Sequence, residues 1–520
     1  MGLTDRFSWW AFRRCRERLM RASADPAAAQ EAALRGLVQA ASDTEWGRDH
    51  DYAGIGAVAD FQARVPLAVH ADLKPLWDRA RAGEEHVCWP GVTRYFALSA
   101  GTTSGSKLVP VTADAIRSNR RSGARVVALT YEQMGRSDVT RGRFLYLGGS
   151  TTLRREGRAF IGDASGIMNA HVPRPVRRYH LPEPEIAALT DWDEKINRIC
   201  RAHTATRVHV VSGLPSWLVP FFERLIAVGR ERLGASVGTV ADVWPHCGAV
   251  VTYGMSVDPY RETFDRLLGG PVAYVDTYSS SEAGMSAVQD RRDEPGMLLF
   301  VDNGVFYEFV PADEADAETP RRCTMADVEV DVPYEVAVST NGGVWGYRLG
   351  DVVRFTSLRP PRVVFAGRTS HQLSAFGEHV IGEELDAAVL AAGAEAGAEV
   401  ANFAVQAVYP AVAEAGDDRP VTTGRHRWHV EFARPAADPM AFMRAVDEKL
   451  KALNEDYASY RKGDRAVGEP ELVVLAPGSF YEWMKRTGRL GGQYKIPRVL
   501  TDAGLADRLR AISDELGGGA

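Results

Sequence analysis

The spacing of apolar residues changes along the chain, and each change predicts a different kind of element. In residues 1 to about 90, apolar positions recur every three or four residues in stretches rich in Ala, Leu and Gln, which predicts a mostly helical start. From Tyr95 onward, short β-branched runs alternate with longer helical patterns. Such alternation is typical of α/β layers around a largely parallel sheet.

Several elements of this alternating part can be predicted by residue. Side chains that favour the N-terminus of a helix mark two helix starts, one at Thr112 or Asp114 and one at Asp438. The predicted helices are 113–133, 217–228, 382–392 and 439–453. The predicted strands are 143–147, 207–212, 249–253, 272–276, 402–409, 427–432 and 471–475.

The pattern changes again near the middle of the chain. Residues 297–365 contain strand after strand with turns between them, among them Arg359-Pro360-Pro361, which predicts a barrel-like or antiparallel subdomain. After Arg368 a smaller α+β unit of about 150 residues begins, long enough to hold its own core. We therefore predict an α/β fold with two domains: 1–369, large, with layered α/β sheets and a β-barrel-like subdomain, and 370–520, small.

Composition narrows the setting of the protein. The 520 residues are 45% hydrophobic and 25% charged, and the net charge of −6 gives no reason to expect nucleic acid as a partner. Five scattered cysteines without a C-x-x-C pair indicate a reducing, cytoplasmic setting. No stretch reaches the ~18 apolar residues of a transmembrane helix. Residues 7–20 form a basic amphipathic helix pattern, which we expect to pack on its own domain, with contact to a membrane surface as the alternative.

A loop of small residues between two apolar segments is the first candidate for chemistry. Residues 99–106 are almost wholly Gly, Ser and Thr, and Lys107 follows directly. Glycines free the backbone to point N–H groups at one anion, and hydroxyls and a lysine add donors and charge. The G-x-x-x-x-G-K-[ST] spacing of a P-loop is absent. A phosphate cradle is favoured over a flexible linker, because linkers rarely follow an apolar strand directly.

Four other segments carry residues suited to a nucleotide. In 274–284, Tyr278 offers a ring for a base, and Glu282 offers an oxygen ligand for Mg²⁺; a serine-rich turn is the alternative. Asp351, placed by a turn at the start of a strand, can accept hydrogen bonds from ribose hydroxyls, although Asp after Gly is also ordinary turn chemistry. The other two are F-A-G-R, ending at Arg368, and G-Q-Y-K-I-P-R, with Lys495. A single loop lysine is usually solvated.

Together these segments resemble the adenylate-forming superfamily, and most closely its acyl acid amido synthetases, the auxin-responsive Gretchen Hagen three family. The resemblance spans nearly the whole chain, and Q-Y-K-I-P-R is its most particular motif. It implies that ATP and Mg²⁺ activate a carboxylic acid as an acyl adenylate, which an amine, typically an amino acid, then attacks. The implied ATP-binding residues are Ser99, Gly101, Thr102, Thr103, Ser104, Lys107, Tyr278, Ser280, Ser281, Glu282, Asp351 and Arg368.

The resemblance also assigns roles within that set. Ser99, Thr102 and Thr103 would hold the β- and γ-phosphates, Tyr278 would stack on adenine, and Asp351 would hold the ribose. The implied catalytic residues are Glu282, which would also bind Mg²⁺, and Lys495, which would bridge the carboxylate and the α-phosphate. Arg368 would lie at a hinge, so that closure of a mobile small domain completes the site.

Other functions fit the sequence less well. An acyl-CoA ligase or a carrier-loading enzyme would share the first half-reaction and use a thiol acceptor, and a non-catalytic nucleotide sensor could share the fold. His426 and His429, spaced H-x-x-H in an alternating strand, are expected to be surface residues rather than metal ligands. Neither G-x-S-x-G nor H-E-x-x-H occurs.

Overall fold

A computed structural model of the chain gives the positions of most residues. It describes 3–99, 107–254, 257–315, 317–368, 373, 376, 378, 380, 382–409, 423–464, 466–487, 498–500 and 503–517.

The elements alternate between helix and strand over most of this length. The α-helices are α1 Leu3–Ala24, α2 Pro26–Ala41, α3 Glu45–Asp49, α4 Val58–Arg64, α5 His70–Ala82, α6 Ala113–Gln133, α7 Ala164–Ala170, α8 Arg174–Arg177, α9 Pro184–Ala187, α10 Trp192–His203, α11 Pro215–Leu233, α12 Val240–Val243, α13 Arg261–Leu268, α14 Gly382–Ala396, α15 Pro439–Leu453, α16 Glu455–Arg461, α17 Ser479–Arg486 and α18 Ala503–Gly517. Short 3-10 helices lie at Tyr52–Gly54, Val139–Arg141, Asp258–Tyr260, Ala312–Glu314 and Lys462–Asp464. The strands are β1 Tyr95–Ser99, β2 Lys107–Val111, β3 Arg143–Leu147, β4 Arg154–Glu156, β5 Ala159–Asp163, β6 His180–Leu181, β7 Val208–Gly213, β8 Ala249–Thr252, β9 Ala273–Ser280, β10 Gly284–Val288, β11 Met297–Leu299, β12 Val305–Pro311, β13 Pro333–Thr340, β14 Val344–Leu358, β15 Pro361–Arg368, β16 Glu399–Val408, β17 Arg425–Arg434, β18 Glu471–Leu475 and β19 Val499–Leu500.

The chain divides into two compact units. The first comprises 1–99, 107–257 and 264–369, and the second takes 258–263 and 370–520. Among the described residues, the first unit holds a four-stranded sheet in the order β2-β1-β5-β4 and an eleven-stranded sheet in the order β12-β13-β14-β15-β11-β10-β9-β8-β7-β3-β6. The second unit holds a four-stranded sheet in the order β18-β17-β16-β19.

One half of the large sheet is parallel and buried. β6, β3, β7, β8 and β9 run in the same direction, and every residue of β7 and β8 is buried. Parallel strands covered on both faces are made of continuous apolar runs, as these β-branched segments are. In register, Leu147, Gly213 and Thr252 end their strands together, so the carboxyl ends of β3, β7 and β8 lie along one edge of the sheet.

The other half of the large sheet is antiparallel. The segment that we predicted to be a barrel-like or antiparallel subdomain forms the antiparallel strands β11 to β15, which pair with one another and join the parallel half through β10. Helices α2, α4 and α5 cover this wing with a core that includes Phe61, Trp77, Phe306, Tyr307 and Trp345, each at most 2% exposed. The antiparallel wing therefore has its own core beside that of the parallel strands.

The boundaries of several predicted elements are confirmed. α6, β3, α15 and β18 begin and end at the predicted residues, and the side chain of Thr112 caps α6 by accepting a hydrogen bond from the backbone of Ala115. The basic helix α1 packs on the first unit as expected, with Leu19 fully buried and Asp5 accepting hydrogen bonds from the backbone and hydroxyl of Thr140. No described helix is long and apolar enough to cross a membrane.

The prediction that His426 and His429 are surface residues is wrong. Both lie on β17, which pairs with β16 on one side and β18 on the other, and both have no exposed surface. Nε2 of His426 lies 2.7 Å from Oε1 of Glu378, which is also fully buried. The alternating pattern indicated a strand with one solvent-exposed face. In the structure, α14 and α15 cover one face of this sheet, and α17 and α18 cover the other.

Candidate functional site

Two antiparallel strands frame the predicted phosphate loop. β1 and β2 pair from Tyr95 and Val111 to Ser99 and Lys107, so the loop joins two neighbouring strand ends. Gly101, Thr102, Thr103 and Ser104, and the side chain of Ser99, lie outside the described residues. Lys107 is half-buried, and its charge, after burial, helps to lower the pKa of His70. A fixed positive charge therefore stands at the end of the loop.

The helix that follows this hairpin ties it to the large sheet. Thr112, which caps α6, donates its hydroxyl hydrogen to the carbonyl of Asn341 at 2.5 Å. Further along α6, Asn119 accepts a hydrogen bond of 2.8 Å from the backbone of Met285. Hydrogen bonds between a side chain and a distant backbone group fix one element against another. Through these two bonds, α6 holds the end of β2 at a fixed position relative to the segments that follow β9 and β13.

Glu282 lies in the turn that Asn119 holds. Ser281, Glu282 and Ala283 join β9 to β10, and the hydroxyl of Ser280 closes the turn by accepting the N–H of Ala283 at 3.0 Å. Gly284 follows with a φ of 67°, and a Cβ at that position would overlap the side chain of Asn119. The half-buried Glu282 is thus carried on a rigid turn whose geometry depends on a glycine.

Tyr278 and Asp351 are in direct contact. The Tyr278 hydroxyl donates to Oδ2 of Asp351 at 2.8 Å, and the two residues are 9% and 3% exposed. Tyr278 is on β9, three residues before Ser281, whereas Asp351 is on β14, so the sheet brings together residues that are 73 positions apart. A carboxylate held by a phenol at this depth is preorganised to accept further hydrogen bonds.

The prediction that a turn places Asp351 at the start of a strand is wrong. β14 runs unbroken from Val344 to Leu358, and the residues 349–351 form a bulge opposite β13, where Arg348 pairs with Ala337 and Val352 pairs with Glu335. Gly350 has a φ of 75°. The glycine that suggested a turn therefore allows the two extra residues of a bulge, and bulges next to functional sites can redirect side chains.

The remaining predicted residues are described only in part. Arg368 ends β15 and pairs through its backbone with Asp351, and its side chain is outside the described residues. Lys495 lies outside them entirely. Asp351 and the backbone of Arg368 therefore lie side by side on the paired strands β14 and β15, and the hydroxyl of Tyr278, on β9, reaches Asp351. Ser280, Ser281 and Glu282 follow just beyond Tyr278 in the chain.

The chemistry of Glu282 fits a Mg²⁺ ion held largely by a nucleotide. Within the described part of the chain, no group of three or more His, Cys, Asp or Glu side chains could hold a metal by itself. Mg²⁺ commonly binds one or two carboxylates together with substrate phosphates and keeps several waters, rather than using an all-protein cage. Glu282, a single carboxylate on a rigid turn, could supply the one protein ligand that such a Mg²⁺ ion requires.

The sequence interpretation missed a charged pair on the first unit. Lys195 of α10 is 3% exposed, and its ammonium donates to the carbonyl of Gly148, just past β3, at 3.1 Å. Burial lowers the pKa of Lys195 to about 8, and the nearby carboxylate of Asp163, at the end of β5, opposes that shift. The signal was present as two runs of small residues at strand ends: G-G-S at 148–150 follows β3, and G-D-A-S-G at 162–166 begins within the last two residues of β5.

The architecture defines the class of protein. Two solved structures are similar to this one over nearly the whole chain. The first is an acyl acid amido synthetase, AtGH3.15 with 2,4-DB, with a TM-score of 0.58 and 18% identity, covering 96% of each chain. The second is a 2-hydroxyisobutyryl-CoA ligase with 2-HIB-AMP and CoA, with a TM-score of 0.55 and 17% identity, covering 95% of this chain and 94% of that one. The fold is that of the adenylate-forming ligases.

Sequence comparison gives the family. Residues 15–167, 298–368 and 383–504 match the N-terminal, central and C-terminal domains of the GH3 family, and together they take up more than half of the chain. The chain belongs to the GH3 family. A relative from Oryza sativa subsp. japonica, "Probable indole-3-acetic acid-amido synthetase GH3.12", is 25% identical over 95% of this chain and 94% of its own length. Family membership makes this protein a ligase of the amido synthetase class.

Proposed function

We propose that the protein adenylates a carboxylic acid with ATP and transfers the acyl group to an amine, forming an amide and releasing AMP and pyrophosphate. The observation that carries this proposal is the contact between Tyr278 and Asp351 beside the turn of Glu282, in a chain of the GH3 family. One sheet thus carries three groups suited to ATP. The ring of Tyr278 can contact the base, the buried carboxylate of Asp351 can bind the ribose, and the carboxylate of Glu282 can bind a metal ion that is coordinated by phosphate.

The roles of the site residues follow from their positions. Asp351 accepts hydrogen bonds from ribose hydroxyls, and Tyr278 orients that carboxylate while its ring bounds the adenine site. Glu282 binds Mg²⁺, which would neutralise phosphate charge when bound. Ser99, Lys107 and the small residues between them contact the phosphates, since the hairpin brings both ends of the loop to one place. Phosphoryl chemistry depends mainly on such positioning and charge neutralisation.

The smaller unit completes the site in this proposal. Lys495 reaches the acid carboxylate and the α-phosphate, and Arg368, at the end of β15 next to the division between the units, marks the hinge. A mobile domain that brings in a catalytic lysine lets water be excluded only when substrates are bound. All five cysteines are free thiols, which fits a reducing cytoplasm.

The acid and the amine remain to be identified by experiment. The screen measures pyrophosphate release from ATP with a panel of carboxylic acids, each with and without a mixture of the twenty amino acids. We expect at least one acid to give pyrophosphate that depends on that acid, with turnover accelerated by amino acids. Pyrophosphate release that is independent of every acid would contradict the proposal, and acceleration by coenzyme A in place of amino acids would reassign it to a thioester-forming ligase.

A further inference from the structure

One face of helix α1 fixes it to the first unit. Leu19 is fully buried, and the ring centre of Phe12 lies 6.1 Å from that of Tyr131 on α6. The carboxylate of Asp5, which is also buried, accepts the hydroxyl hydrogen of Thr140 at 2.6 Å. Asp5, Phe12 and Leu19 are seven residues apart, which is close to two helical turns, so they lie on one side of the helix. The other side is left to face outward.

The outward side of α1 carries exposed side chains at the spacing of a single helical face. They recur every three or four residues, and we call them the outer face of α1: Phe7, Trp10, Arg14, Arg18 and Arg21. Glu17 is exposed along the same side. The outer face therefore begins with two aromatic rings and continues with three arginines against one glutamate, so it is both apolar and positively charged.

The two aromatic side chains of the outer face are adjacent and open to solvent. Phe7 is 67% exposed and Trp10 is 52% exposed, and their ring centres lie 5.7 Å apart. The guanidinium carbon of Arg14 lies 4.9 Å from the centre of the Trp10 ring. Adjacent exposed apolar side chains, unlike single ones, mark a contact surface. An aromatic ring beside a cation suits the headgroup region of a bilayer, which offers apolar contact to the ring and phosphate to the cation.

The net charge of α1 is opposite in sign to that of the whole chain. The helix contains six arginines, one aspartate and one glutamate, a net charge of +4, whereas the whole chain carries −6. Arg16, outside the outer face, pairs with Glu132 at 2.7 Å. Within the described part of the chain, the three arginines of the outer face form no ion pair, although Nε of Arg21 donates to the carbonyl of Glu17 at 3.3 Å. Their guanidinium groups thus keep most of their donors for phosphate oxygens.

We propose that the outer face of α1 binds the surface of a membrane that contains anionic phospholipids. Phe7 and Trp10 enter the headgroup region, and the three arginines contact lipid phosphates. A helix of 22 residues is about 33 Å long, so the outer face can lie along a flat surface. Basic helices that present aromatic side chains bind anionic surfaces in the plane of the interface. The cytoplasmic leaflet is the anionic one, which agrees with the cytoplasmic setting proposed above.

A nucleic acid is the other polyanion that arginines bind, and it fits the outer face less well. Single-stranded bases stack on the open face of an aromatic ring, whereas Phe7 and Arg14 both lie against the ring of Trp10. A helix that enters the major groove of a duplex presents polar side chains to the base edges, and the outer face begins with two apolar rings instead. The membrane is therefore the occupant that these contacts favour.

The outer face belongs to a helix that contacts α6 far from the predicted phosphate loop. Phe12 and Arg16 of α1 meet Tyr131 and Glu132, at the C-terminal end of α6. The loop precedes Thr112, which caps the N-terminal end of the same helix. From Thr112 to Tyr131 the helix rises about 28 Å. Membrane contact is therefore independent of the proposed function, and changes in the outer face should leave pyrophosphate release unaltered.

Flotation with lipid vesicles measures the binding. The full chain is mixed with vesicles of phosphatidylcholine that contain about 30% phosphatidylglycerol, or with vesicles of phosphatidylcholine alone, in about 0.1 M NaCl. We expect the partition coefficient to be at least about tenfold higher for the anionic vesicles. Raising the NaCl concentration to about 0.5 M should release most of the protein, because salt screens the attraction between arginine and phosphate.

Reversing the charge of the three arginines tests their contribution. The variant Arg14→Glu/Arg18→Glu/Arg21→Glu should lower the partition coefficient for anionic vesicles at least about tenfold, since three attractive groups become repulsive. The matched control has the same change of charge at exposed arginines of α10, α15 and α18: Arg198→Glu, Arg444→Glu and Arg508→Glu. The control should bind within about twofold of wild type, because charges distant from the membrane are screened.

Removing the two rings tests the apolar part of the contact. Phe7→Ser/Trp10→Ser should also lower the partition coefficient at least about tenfold, because apolar area is no longer buried in the headgroup region. The remaining binding should keep its dependence on salt, since the arginines are retained. Tyr481→Ser, at a tyrosine of α17 that is 64% exposed, is the control. The urea midpoint of each variant is compared with that of wild type, so that a loss of binding is not mistaken for a loss of structure.

Four results would overturn the proposal. Wild type could fail to bind anionic vesicles, or the triple arginine variant could bind them as tightly as wild type. Binding to DNA that is lost in the triple arginine variant, without binding to vesicles, would assign the outer face to a nucleic acid. A dimer in sedimentation velocity that Phe7→Ser/Trp10→Ser converts to a monomer would show that a second copy of the chain covers this face. A wild type that released no acid-dependent pyrophosphate and still bound anionic vesicles would contradict the proposed function alone.

Discussion

The Asp351 carboxylate accepts a hydrogen bond from Tyr278 at a depth where an ordinary turn aspartate would not lie. Its neighbour Gly350 has a positive φ, and the resulting bulge directs the carboxylate toward Tyr278. The motif Y-R-L-G-D is visible in the sequence, but the bulge is not, because the two extra residues are defined only by the pairing of β14 with β13. The chemistry of this residue was thus predictable, whereas its geometry depended on a partner strand.

Replacing Asp351 by Ala should weaken ATP binding selectively. Hydrogen bonds to a charged group contribute about 1.5–3 kcal/mol, so we expect the KM for ATP to rise about 10- to 100-fold. The KM for 2′,3′-dideoxy-ATP, which lacks the hydroxyls, should rise less than about threefold. Tyr278→Phe removes the hydroxyl that orients this carboxylate and keeps the ring, so it should give a smaller loss with the same selectivity for ATP. An equal loss for both nucleotides in Asp351→Ala would limit Asp351 to a structural role.

Glu282→Gln should increase the Mg²⁺ concentration that the reaction requires. One anionic oxygen ligand is lost while the shape of the turn is kept, so the half-saturating Mg²⁺ concentration should rise about tenfold. Saturating Mg²⁺ should restore most of the rate. The matched control is Glu231→Gln, at an exposed glutamate paired with Arg201. A Mg²⁺ titration that coincides with that of wild type would remove Glu282 from the metal site.

At the scale of elements, helix α6 and its neighbours show what local sequence can and cannot establish. Its boundaries follow from the cap at Thr112 and the spacing of apolar residues, and both were predicted. Its function as a tie between hairpins depends on Asn119 and Met285, which are 166 positions apart. The sequence likewise indicated β17 but not the coverage of both its faces, which buries His426 and His429. Long-range contacts decide burial, and spacing alone does not reveal them.

Two buried histidines predict how stability depends on pH. His209 on β7 and His429 on β17 have pKa values lowered to about 4, first by burial and then by nearby arginines, Arg136 and Arg510 respectively. Between about pH 6.5 and 4, each of these histidines is protonated in the unfolded chain and neutral in the folded protein. Their contribution to the free energy of unfolding is therefore complete above about pH 6.5 and is lost as the pH is lowered. Each group contributes up to about 1.4 kcal/mol per pH unit.

The urea midpoint of unfolding, measured from pH 7.5 to 5.0, checks this expectation. His429→Gln should flatten the decline relative to wild type, because glutamine does not bind the proton, and His209→Gln should do the same. His86→Gln, at an exposed histidine, should leave the slope unchanged. If the urea midpoint of both His209→Gln and His429→Gln declined with falling pH as steeply as that of wild type, these histidines would not be the cause of the loss of stability in acid.

At the scale of the whole molecule, the order of motifs along the chain was the most informative feature of the sequence. Separated segments around Lys107, Glu282, Asp351 and Lys495 indicated the superfamily, and the match to three GH3 domains agrees with that interpretation. The pair Lys195 and Asp163 was not found, since it joins a helix to the end of a strand from another sheet. A pair of this kind has no sequence spacing of its own.

Lys495→Ala should slow adenylation at least about 100-fold while both units remain folded. The lysine is predicted to bring a positive charge to the transition state, and such a charge contributes several kcal/mol, or about 10²- to 10³-fold in rate. Single-turnover pyrophosphate release measures this step alone, and circular dichroism monitors the fold. Lys485→Ala, on an exposed face of α17, is the control in the same unit. Unaltered pyrophosphate release from Lys495→Ala would contradict the predicted function of this lysine.

Mass spectrometry of the products shows whether the acyl group is transferred to an amine or to a thiol. The protein is incubated with ATP, Mg²⁺, the acid that it prefers, the twenty amino acids and coenzyme A together, so that amine and thiol compete for one acyl adenylate. We expect AMP and an N-acyl amino acid in equal amounts, with no acyl-CoA. An acyl-CoA thioester in place of the amide would show that the protein is a thioester-forming ligase and not an amido synthetase.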